Sequence, residues 1–540
     1  MRVLIFHGYL LRGTGSNVYN ANLARALVRL GHEVHLLCQD RAAAELDFVD
    51  AVADWDSGSL EVRALRDPVR LTAYRPALGG LLPVYVADRY EGIEARPFGE
   101  LDDEELARYL DANVAAVAEV AAAVRPDAAL ANHMVMGPAI LARALGADVP
   151  YAVKIHGSAM EYTVAPEPER FLPYALEGLR PARGVLVGSR HIAERLWETT
   201  GDPELPARTR LGPPGVDVEL FAPREPAAAR AGIAALGGRL AERAERHPAG
   251  SAFARDTGEI ARALRGLAAG EGPLVAYVGK LILSKGVDLL AAAWPLVLAE
   301  VPDARLAVVG FGAYRDGFER LLAALAAGDL EGAAGLAAAG RAEEGGARAP
   351  LRHLLAFLGG LEGERRAAYR AAATGIRDSV TVVGRLEHDE LAEVLPAAVA
   401  QVVPSTFPEA FGMVAAEAAA CGVLPVVAAH SGLAEVAAVL ERGVPAGARE
   451  LLTFPRGDDA VEAIARRLVA WLAAPEPLRA RTREALVRTA RERFSWEGVA
   501  RGVLAAATGD LEALPEPAPD GPRAGRRTAP SGGRGGRSII

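Results

Sequence analysis

Twice along this chain, short aliphatic runs alternate with helical stretches, and a paired proline stands between the two rounds. In the first round a run at 3–6 reads as a strand, 17–30 as a helix and 33–38 as a second strand, the opening of a βαβ unit. Further runs at 128–131, 151–155 and 185–187 end on polar or glycine residues, Asn132, His156 and Gly188. Ligands of open α/β sheets collect at such strand ends. The segment R-L-G-P-P-G-V-D closes this half, because consecutive prolines forbid a continuing helix and favour an extended connector. The second round has runs at 274–278, 305–309, 380–383, 401–403 and 424–427. The order predicts an α/β fold of two Rossmann-like doubly wound parallel-sheet domains facing a cleft.

The chain has 540 residues, too many for a single core and enough for two domains. Residues 1–215 are expected to form the first domain, 216–272 a linker with a helical insertion, and 273–494 the second domain. An insertion of about 320–372 is expected within the second domain, because 70 residues between strands exceed an ordinary crossover. A C-terminal helix is expected over 495–514. Residues 515–540 carry five Pro, six Gly and five Arg and are expected to be disordered.

Sixty basic residues against 69 acidic give a net charge of −9, so no global field draws the chain to nucleic acid or to anionic lipid. An anionic ligand must therefore be held by local groups. The two cysteines, Cys38 and Cys421, fall one in each expected domain, which argues for a reducing compartment. The amino-terminal apolar run is too short for a signal peptide, and no apolar stretch approaches the roughly 20 residues of a membrane span. A cytoplasmic protein is expected, with room for peripheral contact at the inner membrane face.

Local charge of the required kind is scarce and placed. Of the 60 basic residues only three are lysines: Lys154 in V-K-I-H-G, and Lys280 and Lys285 in G-K-L-I-L-S-K-G, directly after a strand-like run. An ammonium is a compact point charge with three donors, unlike the arginine fork. A second constellation is P-S-T-F-P-E-A-F-G-M-V-A-A-E, in which Glu409 lies in a loop after a strand and Glu417 on the helix that follows. A helix starting near Gly412 aims the free amides of Phe411, Gly412, Met413 and Val414 at the cleft, a site for phosphate or hydroxyl oxygens. Glu417 is placed to accept from a ribose diol.

These segments resemble glycosyltransferase family 4, the retaining sugar-nucleotide enzymes of the GT-B architecture. E-x-F-G-x-x-x-x-E is the most specific mark, and the opening H-G-Y-L-L-R-G-T-G-S-N-V-Y, P-P-G-V-D-V-E-L-F, V-V-G-F-G, V-T-V-V-G-R-L and C-G-V-L-P-V-V-A-A-H-S-G-L-A-E-V extend the resemblance along the chain. The resemblance implies a hexosyltransferase that uses a UDP-sugar as donor. His156, Lys280, Lys285 and Glu409 would be catalytic: the lysines hold the departing diphosphate, Glu409 contacts the transferred sugar and His156 faces it from the first domain. Gly13, Gly15, Gly310, Arg385, Leu386, Phe411, Gly412, Met413, Val414 and Glu417 would bind the donor. No cofactor and no metal are implied, and the partners are the nucleotide sugar and a glycosyl acceptor. The chain departs from the family at Lys280, where Arg is usual, and at Ser431, where a second Gly is usual.

Three other readings compete. Asp54-Trp55-Asp56 is a D-x-D that could hold a divalent cation, or simply a polar surface loop. Gly13-x-Gly15-x-x-Val18 with Asp40 after the second strand imitates the fingerprint of an NAD(P)-dependent oxidoreductase, without its third glycine. A non-catalytic nucleotide-sugar-binding protein would keep the same donor pocket.

Overall fold

The computed structural model describes residues 1–12, 15–85, 94–242 and 255–517. Strands form where apolar runs end at turn-forming residues. In the first half these are β1 (Arg2–Phe6), β2 (Glu33–Leu37), β3 (Ala51–Asp54), β4 (Glu61–Ala64), β5 (Leu71–Arg75), β6 (Leu81–Val84), β7 (Glu94–Pro97), β8 (Ala128–Asn132), β9 (Tyr151–Ile155), β10 (Gly184–Val187) and β11 (Thr209–Leu211). Nine of them make one sheet in the order β11-β10-β9-β8-β1-β2-β5-β3-β4, while β6 and β7 pair separately. The five runs expected to be strands in this half are strands. The alternation missed β3 to β7 and β11, of which β4 is exposed throughout and β7 has no fully buried residue. The sheet is also not wholly parallel, since β4 returns antiparallel along β3 as an edge hairpin.

The second half contributes β12 (Leu274–Val278), β13 (Arg305–Val309), β14 (Val380–Gly384), β15 (Ala400–Val403), β16 (Leu424–Ala428) and β17 (Thr453–Phe454). They form a parallel sheet in the order β14-β13-β12-β15-β16-β17, the doubly wound order with its reversal between β12 and β15. That reversal opens a crevice at the carboxyl ends of β12 and β15, and two chemically distinctive loops leave the sheet there. In the first sheet the reversal lies between β1 and β8.

Helices Pro226–Glu242 and Thr257–Ala269 follow the proline connector and bury Ile233, Leu236, Ile260 and Leu264 in the core of the second sheet. The stretch between Gly310 and Val380 is helical, with Arg315–Ala326, Leu330–Ala339, Arg352–Gly359 and Gly363–Ala373. Its apolar faces join that same core through Phe318, Leu325, Leu354 and Tyr369, whose hydroxyl donates to the Ala292 carbonyl at 2.8 Å.

The chain crosses between the sheets twice, at one place. The Val216 amide donates to the Phe494 carbonyl at 2.6 Å, so the outgoing and returning segments are hydrogen-bonded to each other. Helix Trp496–Thr508 then lies on the first sheet, and Trp496, Ala500, Val503 and Ala506 belong to that sheet's core. Of the expected disordered tail, residues 518–540 lie outside the described residues. The stretch does not begin free at Pro515, because the Leu211 amide donates to its carbonyl at 2.8 Å and Arg210 pairs with Glu516 at 3.8 Å. No helix among the described residues is long and apolar enough to cross a membrane.

Candidate active site

Between the two sheets lies a cleft of about 650 Å³. Its floor on the second-domain side is built by the loop after β12. Gly279 to Gly286 carries Lys280 and Lys285, and the neighbouring loop after β15 carries Glu409. The Lys285 ammonium donates to Glu409 Oε1, which also accepts from Ser405 Oγ at 2.5 Å. Lys280 is exposed at the cleft rim. Two ammonium groups and one carboxylate therefore share this corner, leaving it with an excess of positive charge.

Ser431, a departure from the family pattern, has a defined task. Its hydroxyl accepts from the Glu409 amide at 2.8 Å and donates to His430 Nδ1 at 3.1 Å, while His430 Nε2 donates to the Ser405 carbonyl at 2.7 Å. The relay ties the Glu409 loop to the start of the helix Ser431–Glu441. At the same wall the helix Met413–Ala420 points its first turn into the cleft, with Phe411, Gly412, Met413 and Val414 all on the surface.

The first domain faces this corner with histidines. His7, His133 and His156 follow β1, β8 and β9, three adjacent parallel strands, so their rings gather at one sheet edge. His156 and His133 rings are 4.8 Å apart and His133 and His7 rings 6.4 Å. His156 Nε2 donates to Asn132 Oδ1 at 2.9 Å, which leaves its Nδ1 as the lone-pair nitrogen. Burial, then the neighbouring His133, Lys154 and His7, hold His156 well below the ordinary histidine range. Burial lowers His7 to about 4 against its bonds to Asn17 and Leu10, and burial with His7 nearby lowers His133. Burial thus favours the neutral form of all three over the cation. His133 is 3% exposed, and neither ring nitrogen has a hydrogen-bond partner among the described residues. It lines the cleft beside Tyr9 and Tyr85.

The sequence reading did not single out His133 or His7. The available signal was position: His133 directly follows the polar strand end Asn132, and His7 follows β1.

Several expected residues stand elsewhere. Gly13 lies outside the described residues. Gly15 lines the cleft at the start of the helix Gly15–Arg29. Gly310 is not on the cleft surface; its α-carbon packs so close to the Gly279 carbonyl that a β-carbon there would sit 1.9 Å from that oxygen. Arg385 does not line the cleft but sits 5.4 Å from the ring of Phe311, which does, and pairs with Glu387 at 2.9 Å; Leu386 packs on the core. Lys154 is no surface cation: it is buried, donates to the Gly212 carbonyl at 2.5 Å, and burial lowers its pKa to about 7.

Glu417 is the sharpest difference. It is 3% exposed, off the cleft surface, and its Oε1 accepts from His388 Nε2 at 2.8 Å. Burial opposes the charge on His388, but Glu417, with Asp217 and Asp389, outweighs it and raises the pKa above the ordinary value. A raised folded pKa contributes stability fully below the unfolded value, about 6.5, and loses it as pH rises through the folded value. Thermal unfolding of the wild type should therefore show a stability step falling above about pH 6.5 that His388→Gln abolishes. An unchanged profile in the variant would remove the pair from the account.

The residues of the competing motifs already have partners within the protein. Asp54 and Asp56 do not sit in a free polar loop: Asp54 ends β3, and both carboxylates face Arg75, at 3.7 and 2.5 Å. The Asp40 carboxylate is buried and accepts from the Leu11 and Ala42 amides at 3.0 and 2.9 Å, so it has no reach to a ribose diol.

Comparison with known proteins gives the same picture. A family profile described as Glycosyltransferase Family 4 matches residues 13–220, and one described as Glycosyl transferases group 1 matches 352–492. A D-inositol 3-phosphate glycosyltransferase of Xylanimonas cellulosilytica is 27% identical over 499 residues, 91% of this chain and 90% of that protein. One from Segniliparus rotundus is 29% identical over 301 residues, 56% of this chain but only 46% of its own length. The crystal structure of Anabaena HepE in complex with UDP is similar in fold, with a TM-score of 0.52 at 16% identity, covering 95% of this chain and 100% of that one.

Proposed function

From a chain that belongs to glycosyltransferase family 4 and is a glycosyltransferase, we propose a retaining enzyme that moves a hexosyl unit from a UDP-sugar to an acceptor hydroxyl. The observation that carries this reading is the meeting of Lys280, Lys285 and Glu409 with His156 across one cleft. The C1–oxygen bond to the diphosphate breaks, the bond from C1 to the acceptor oxygen forms on the same face, and the acceptor proton passes to the leaving phosphate. No protein base is required by that scheme. The protein's contribution is charge held in place: one ammonium about 4 Å from a phosphate charge contributes roughly 4 kcal/mol at an effective dielectric near 20. Two ammonium groups take the role that a divalent ion has in metal-dependent transferases. Neutral His156, fixed by Asn132, offers its Nδ1 to a sugar hydroxyl without placing a second charge near the anomeric carbon. The names of the curated relatives make an inositol phosphate the first acceptor to assay.

The test is a thermal-shift panel of UDP, GDP and ADP. A ligand at 100 times its Kd adds about 2.7 kcal/mol to native stability. UDP should raise Tm and the others should not, and transfer from a UDP-hexose should survive a chelator. A protein unmoved by every diphosphate would end this reading, and activity lost to chelator and restored by magnesium would return the metal to the mechanism.

A further inference from the structure

The stretch between β13 and β14 holds the lysine loop at two places: near its start the Leu281 amide donates to the Phe311 carbonyl at 2.7 Å and the Tyr314 amide to the Leu281 carbonyl at 2.9 Å, and further along a corner reaches Leu283. Its corner Arg341–Glu344 projects from the helix Leu330–Ala339, and the Glu344 carboxylate accepts from the Leu283 amide at 3.0 Å. Leu283 lies between Lys280 and Lys285 on the loop. The contact joins residues 61 positions apart, and nothing local requires it.

Glu344 is held on its own side as well. Its side chain is 14% exposed, its other oxygen is 3.5 Å from Arg341 Nε, and neighbouring Glu343 pairs with Arg320 of the helix Arg315–Ala326. The corner is thus anchored to helices whose apolar faces are in the domain core. The loop also meets backbone on the side of β15, where the Ser284 carbonyl accepts from the Thr406 and Phe407 amides at 2.9 and 3.2 Å. Glu344 adds a side-chain hold on the Leu283 amide, in the middle of the loop between the two lysines.

We propose that Glu344 is a positioning residue for the donor: through the Leu283 amide it fixes the loop that carries Lys280 and Lys285, so the inserted helices set the geometry of diphosphate binding. This rests on the proposed role of the loop in holding the diphosphate. A carboxylate–amide bond is a charge-assisted one, and losing it leaves the amide without a protein acceptor and lets the loop spread over several conformations. The cost falls on the ligand group that the loop must meet. A nucleoside, which lacks the diphosphate, should be indifferent.

The experiment is calorimetric titration of the full chain with UDP and with uridine. Glu344→Ala should weaken UDP by about tenfold and leave uridine unchanged, a split that general destabilisation does not produce. Glu344→Gln keeps an acceptor oxygen and should stay within about threefold of wild type. Should the alanine variant fail to fold, Glu344→Asp retains the charge but draws the oxygen back by about 1.5 Å and should weaken UDP severalfold. A wild type that prefers UDP over uridine, with the alanine or aspartate variants equally selective, overturns this inference alone. A glutamine variant as weak as alanine overturns the hydrogen-bond account. A wild type that binds uridine as tightly as UDP takes down the diphosphate reading, and this inference with it.

Discussion

Replacing Lys285 with alanine should lower kcat/KM for glycosyl transfer by more than about a hundredfold, with Tm changed by only a few degrees. Two effects act in the same direction. The substitution removes an ammonium from the corner where diphosphate charge develops, and a single such charge is worth roughly 4 kcal/mol at short range. It also releases the Glu409 carboxylate, which is 22% exposed and accepts from Lys285, so the corner changes from an excess of positive charge toward neutrality. An anionic leaving group then meets an unpaired carboxylate. Folding is little affected, because both side chains keep partial access to water and such pairs contribute little to stability. Arginine at the same position should recover part of the rate, since it restores charge but spreads it over a larger planar fork. Steady-state kinetics with circular dichroism decide the matter; turnover within a few-fold of wild type would dismiss the proposed role.

The second large effect is expected at the loop's far end. Gly286 has φ +68°, and a β-carbon added there would lie 2.0 Å from the Pro404 carbonyl oxygen. Alanine in the left-handed region costs about 1–2 kcal/mol, and forcing a methyl against backbone costs about 1–3 kcal/mol more. The sum, about 2–5 kcal/mol, corresponds to a fall in Tm of roughly 5–15 °C for a domain of this size. Relief of the clash moves Lys285, one residue away, so activity should fall by at least the order expected for its removal. Gly335→Ala is the control: it lies in the helix Leu330–Ala339 with open space around its α-carbon, and should be neutral or slightly stabilising. A Gly286→Ala enzyme with wild-type Tm and rate would show that the loop can yield there.

The sequence made the fold legible wherever a strand was buried on both faces. Runs such as Leu274–Val278 and Leu424–Ala428 are near-continuously apolar because helices cover both sides of a parallel sheet. The edge strand β4 escaped notice because Glu61–Ala64, four residues long, faces solvent throughout, so its short polar–apolar alternation marks no buried face. For the site, lysine scarcity and the glutamate block led to one wall of the cleft: Lys280, Lys285, Glu409, Phe411 and Gly412 lie on its surface. What could not be read was which carboxylate is occupied. Glu417 meets His388, 29 residues away, and Glu344 meets Leu283 across an entire inserted segment. Contacts of that kind are fixed by tertiary packing and leave no spacing in the chain. Histidine clustering was hidden for a related reason, since His7, His133 and His156 come together only through the strand order β1, β8, β9.

Helix Trp496–Thr508 has a consequence for biosynthesis. The first sheet is translated early, yet Trp496, Ala500, Val503 and Ala506, which cover part of it, are made only after the whole second sheet. At about 5–20 residues per second, the ribosome needs on the order of tens of seconds to pass from β11 to that helix. Throughout that interval the nascent first domain presents Tyr19, Ala152 and Leu186 uncovered, a greasy face open to chaperones or to wrong partners until that helix emerges and seals it.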